Sequence, residues 1–96
     1  MVRTILVDPD LARHWRDRVH HQIDVKLSSL EESISVVVLH LRKRPMLLEC
    51  TVETWLKDGS TVRFNLANTD PEVVISDAVS RLRREVIRSV TLRRAS

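Results

Sequence analysis

The chain has 96 residues, 43% of them hydrophobic and 30% charged, with a net charge of +3; this suits one globular domain, residues 1–96, and is too short for two. A single glycine excludes glycine-rich phosphate loops and dinucleotide fingerprints, and a single cysteine, Cys50, excludes an internal disulfide and a Cys-based zinc cage. No apolar run nears the ~20 residues that span a bilayer, the start lacks a signal-peptide core, and the lone thiol fits a reducing compartment, so a cytoplasmic location without membrane contact is expected.

Residues 2–7 (Val-Arg-Thr-Ile-Leu-Val) are short and β-branched and predict a strand. Asp8-Pro9 then has the form of a helix start, a capping carboxylate followed by a proline with no N–H to lose. Leu11, Trp15, Val19, Ile23, Leu27 and Leu30 follow at spacings of four, four, four, four and three. They form one stripe and predict a helix over about 9–31, with Trp15 in the core. Ser33 to Arg42 is too β-branched for a helix and reads as a strand, with Arg42-Lys43-Arg44-Pro45 as its connection.

Leu47 to Lys57 alternates. Leu48, Cys50, Val52 and Leu56 point inward, while Glu49, Thr51, Glu53 and Trp55 point outward. Asp58-Gly59 predicts a hairpin with a type I′ turn. The returning strand covers 60–66, with Val62, Phe64 and Leu66 inward and Arg63 outward beside Trp55. Asp70-Pro71-Glu72 repeats the cap-and-proline device, and Ile75, Ala78, Val79, Leu82, Val86 and Val90 mark the inner face of a helix over about 71–91. The residues from Thr91 onward are expected to fray. The order β-α-β-β-β-α predicts an α+β fold, a four-stranded sheet with both helices on one face and the other face open.

Charge is unevenly spread. Residues 8–32 hold four bases against six acids, net −2, and residues 76–96 hold six arginines against two acids, net +4. Arg42, Lys43 and Arg44 form a second basic cluster. Arg81, Arg84 and Arg88 fall at i, i+3 and i+7 on one exposed stripe, a spacing and a residue choice suited to gripping phosphates. Trp55, with Arg63 near it, is a large aromatic on the open face, a candidate contact surface for a partner or a second copy of the chain. His14, His20, His21 and His40 show neither an HExxH pair nor a His/carboxylate triad, and no serine sits in a nucleophile elbow. Neither an enzyme nor a metal, cofactor or small-molecule substrate is therefore expected.

The stretch Asp70-Pro71-Glu72-Val73-Val74-Ile75-Ser76-Asp77-Ala78-Val79-Ser80-Arg81-Leu82-Arg83-Arg84-Glu85-Val86 resembles the last helix of the ribosome hibernation promoting factor family, the ribosome-associated inhibitors or sigma-54 modulation proteins, in their short form. Asp70, Ile75, Ala78, Leu82 and Arg84 match its pattern, and Arg81 stands where the family has lysine. Val25-Lys26-Leu27-Ser28-Ser29-Leu30-Glu31 is similar to the end of its first helix. Glu72 and Ser76 depart, standing where the family carries tyrosine and aspartate. The resemblance implies the β-α-β-β-β-α fold, related to the double-stranded-RNA-binding domain. It also implies a partner, the small ribosomal subunit and its rRNA, bound in the mRNA/tRNA channel so that translation is inhibited under stress or in stationary phase. By the same resemblance Lys26, Arg81 and Arg84 contact RNA; Arg88, Arg42, Lys43 and Arg44 join them from spacing and charge.

Overall fold

The computed structural model describes residues 1–95. Its elements are β1 (Val2–Val7), α1 (His14–Leu27), a 3-10 segment (Ser28–Ser33), β2 (Ile34–Lys43), β3 (Leu48–Leu56), β4 (Thr61–Asn68) and α2 (Pro71–Ala95). The four strands form one sheet in the order β1-β2-β3-β4. β1 runs parallel to β2, joined by the α1 crossover, and β2, β3 and β4 form an antiparallel meander. This is the α+β architecture that the periodicities predict.

One face of the sheet is the core. Val37, Leu39 and Leu41 of β2 lie against Thr54, Val52 and Cys50 of β3, and all six are fully buried. Val19, Ile23 and Leu27 of α1 and Val74, Ile75, Ala78, Val79, Leu82 and Val86 of α2 close over them. Burying branched side chains of this size is worth roughly 1.5–3 kcal/mol each, which is what fixes both helices to this face. The inward set expected for β3 is buried throughout. Phe64 is buried too, with Val62 and Leu66 half-buried against the core.

Several boundaries differ from the sequence expectation, each for a specific physical reason. α1 begins at His14, not near Pro9, with Arg13 at its N-cap and no side-chain cap. The Asp8 carboxylate is engaged elsewhere: Oδ2 accepts from the Lys43 backbone N–H at 3.0 Å and Oδ1 lies 3.3 Å from His40 Nε2. Residues 28–33 tighten from α to 3-10 geometry at Ser28-Ser29, residues whose hydroxyls compete with helix hydrogen bonds. Arg42 and Lys43 belong to β2, so the connection is Arg44–Leu47, closed by Arg44 N–H donating to Leu47 O at 2.9 Å. Trp15 is half-buried at the margin of the core and lies tilted against the ring of His14, 4.3 Å between ring centres. α2 stays helical through Thr91 and Leu92 to Ala95, where fraying was expected; Ser96 lies outside the described residues.

The hairpin also differs. A type I′ turn needs positive φ at both central residues, but among the described residues only Gly59 has one, at +91°. Instead Leu56 O accepts from Gly59 N–H at 3.0 Å and Leu56 N–H donates to Ser60 O at 2.9 Å. This is a longer, bulged turn, and the Asp58 carboxylate holds it by accepting from Ser60 N–H at 2.7 Å.

Candidate nucleic-acid interface

α2 is capped as its sequence predicts. Asp70 Oδ1 accepts from Glu72 N–H at 2.9 Å, and Asp70 O accepts from Val74 N–H at 3.1 Å. From that fixed start the helical period sets every later residue. With 75, 78, 79, 82 and 86 inward, Arg84 and Arg88 are carried to the solvent side, and both are exposed. Arg83 is exposed as well.

Arg81 behaves differently. It is half-buried, and its guanidinium carbon lies over the Phe64 ring of β4, 4.4 Å from the centroid. The stripe read as three equivalent arginines is therefore two extended cations and one laid against the sheet.

Lys26 is neither free nor remote. Its Nζ donates to Ser80 Oγ at 2.7 Å, to Ser76 Oγ at 3.0 Å and to Ser76 O at 3.2 Å. Three ammonium donors meet three acceptors on α2. Eight residues earlier, Arg18 Nη2 donates to Glu72 Oε2 at 2.9 Å, and Nε stands 2.9 Å from Oε1. The Glu72 carboxylate raises the Arg18 pKa further, mainly through that hydrogen bond. These two links, in the same order along both helices, show that α1 and α2 run side by side in one direction. Glu72 and Ser76, the two departures from the family pattern, make these links together with Ser80.

Arg42, Lys43 and Arg44 lie at the other end of the sheet, at the carboxyl end of β2 and near the start of α2. Arg84 and Arg88 sit roughly 20–25 Å further along α2 at 1.5 Å per residue, level with the β3–β4 hairpin, where Ser60 and Ser89 face each other at 3.5 Å. The structure thus holds the two basic clusters of the sequence at two separate ends. The first is partly neutralised. Arg42 Nε donates to His40 Nδ1 at 3.1 Å, and Arg44 Nη2 lies 3.4 Å from Glu49 Oε1. Asp8 beside it has its pKa lowered, chiefly by the Lys43 backbone N–H and also by His40.

The open sheet face reads row by row from the ladder. Val2, Val36, Trp55 and Thr61 form the row at the hairpin end, and Thr4, Val38, Glu53 and Arg63 form the next. Val2 is 62% exposed and Trp55 38%. Arg63 faces Glu53 and ion-pairs with it, so the direct neighbour of Trp55 on β4 is Thr61, not Arg63. Cys50 is buried on the inner face, and burial pushes its thiol pKa up to about 12, which suits a small apolar filler rather than a nucleophile. Among the described residues no helix is long and apolar enough to cross a membrane.

No protein-family model matches the sequence, and no curated protein matches it. Solved structures do match its fold. A ribosomal subunit interface protein from Coxiella burnetii superposes with a TM-score of 0.81 at 13% identity, covering 95% of this chain and 99% of that one. The N-terminal domain of Thermus thermophilus Protein Y superposes with a TM-score of 0.74 at 21% identity, covering 92% of this chain and 98% of that one. The resemblance carried by the last helix and the likeness of the whole structure agree: this chain has the fold of the ribosomal subunit interface proteins.

Proposed function

We propose that this chain is a ribosome-associated protein that binds the small subunit through rRNA phosphates and inhibits translation sterically, as a compact body seated where mRNA and tRNA pass. The observation that carries the reading is the likeness of fold, end to end in both chains, to a ribosomal subunit interface protein. The surface supports it: Arg84 and Arg88 stand exposed on the solvent side of α2. Arg81, the Lys26 seam and the Arg42–Arg44 cluster supply further positive charge at separate places on the same body, as an extended RNA surface would require. Such a role needs no cofactor and no catalytic group, and places the protein in the cytoplasm of stressed or stationary cells. Co-sedimentation with purified small subunits between ~50 and ~200 mM salt tests it. Binding at low salt that falls steeply with added salt supports the proposal; no binding at low salt removes it.

A second reading is favoured by the apolar row Val2–Val36–Trp55 on the open face. Its occupant would be a second copy of the chain, because the acids there, Glu53 and Glu49, are already matched by Arg63 and Arg44 and do not repel a like surface. Trp55→Glu would place a charge in the centre of that contact. Sedimentation that shows a wild-type dimer and a mutant monomer supports this reading, and an unchanged state in both removes it.

A further inference from the structure

The position of Arg81 sets it apart from its neighbours on α2. Its guanidinium lies over the ring of Phe64, which is itself only 8% exposed and pairs with Val52 in the ladder. The ring is thus fixed by the sheet, and it fixes the cation. Two acids flank Arg81 at helical spacing, Asp77 one turn before and Glu85 one turn after. Arg84 has no acid three or four residues away in either direction. The field of Arg81 toward a phosphate is therefore offset by two carboxylates, whereas that of Arg84 is not.

A planar cation seated on an aromatic ring still has a second face. That face suits another planar π-system, and in RNA this is a nucleobase. The base must be unpaired, because both faces of a base inside a duplex are already stacked. β4 is an edge strand, so one side of its backbone has no partner strand and offers N–H and C=O groups to the edges of such a base. Arg84 and Arg88 lie about 4.5 and 10.5 Å further along the helix axis, within reach of the phosphates of the same strand.

We infer that Arg81, held on Phe64, is a stacking platform for an unpaired RNA base beside α2 and the free edge of β4, with Arg84 and Arg88 gripping the adjoining backbone. This rests on the RNA-binding reading above and adds a division of labour within the ridge.

Arg81→Lys tests it, because lysine keeps the charge and loses the plane. The probes are small ribosomal subunits, an unstructured RNA of about 12 nucleotides, and the same RNA with abasic positions. Arg81→Lys should weaken binding of the intact RNA and of subunits about fivefold or more, with the slope of log affinity against log salt unchanged. Abasic positions should weaken wild type and leave Arg81→Lys unaffected. Arg84→Gln should lower the salt slope and keep the abasic effect. Equal affinity of Arg81→Lys and wild type overturns the inference, as does a change in its unfolding midpoint alone; if wild type still binds subunits, the ribosome reading stands. A wild type that binds neither subunits nor RNA overturns both.

Discussion

Lys26 of α1 and Ser80 of α2 meet at 2.7 Å across the seam between the two helices. The same ammonium reaches the hydroxyl and the carbonyl of Ser76, so all three of its donors are used within the protein. A residue expected only to contact RNA is also a strut. It holds the helices in register with the Arg18–Glu72 pair eight residues earlier. Lys26→Met keeps most of the stem and removes the donors. It should lower the unfolding free energy by about 1–2 kcal/mol, measured by urea denaturation. Stability equal to wild type would show that the strut contributes nothing.

Thr54 is fully buried on the inner face of β3, and its hydroxyl has no hydrogen-bond partner. The flanking positions Val52 and Leu56 are apolar. A buried hydroxyl without a partner carries its desolvation cost uncompensated. Thr54→Val keeps the shape and removes that cost, and should stabilise the fold by about 1 kcal/mol, read as a higher urea midpoint with an unchanged slope. A lower midpoint would contradict this.

Cys50 offers a test by pH. Its folded pKa, about 12, stands above the ordinary 9.0 because burial disfavours the thiolate. The unfolded chain therefore loses the proton first. The stability linked to this group is complete below pH 9.0 and is lost as the pH rises from there toward about 12. Cys50→Ala should flatten the alkaline decline in stability. In native wild type the thiol should stay unmodified by a thiol reagent at pH 8 and react only on unfolding. Fast native-state labelling would place the thiol outside the core.

The two tryptophan and isoleucine anchors of α1 should separate in a mutational comparison. Ile23 is fully buried between helix and sheet, whereas Trp15 sits at the margin. Ile23→Ala should cost about 2–5 kcal/mol, and Trp15→Ala less than Ile23→Ala. The reverse order, by chemical denaturation, would mean that Trp15 carries the core end of α1.

Much of this architecture is written in local patterns. The alternation of β3 and the Asp70-Pro71 cap of α2 depend on residues a few positions apart, and both appear as read. The start of α1 was illegible for the opposite reason. Asp8 has the form of a helix cap, but its carboxylate is claimed by Lys43, 35 residues away. The extra residue Ser35 between the Ile34–Leu56 and Val36–Trp55 pairs is likewise set by the partner strand, and it lets Ile34 and Val37 both face the core. In the candidate interface the exposure of Arg84 and Arg88 follows from helical period alone. The capture of Arg81 by Phe64, the seam around Lys26 and the pairing of Arg63 with Glu53 all depend on which elements become neighbours.

The most direct test of the account is small-subunit co-sedimentation with Arg84→Gln/Arg88→Gln across a salt series. Glutamine has nearly the helix propensity of arginine, and exposed substitutions usually cost under ~0.5 kcal/mol, so the fold should persist by circular dichroism. Each lost phosphate contact removes roughly 0.7–0.9 from the slope of log affinity against log salt. The account predicts weaker binding and a slope flatter by about 1.5 units. A folded double mutant that binds with wild-type affinity and slope would contradict it and leave the α2 ridge a solvated helix face.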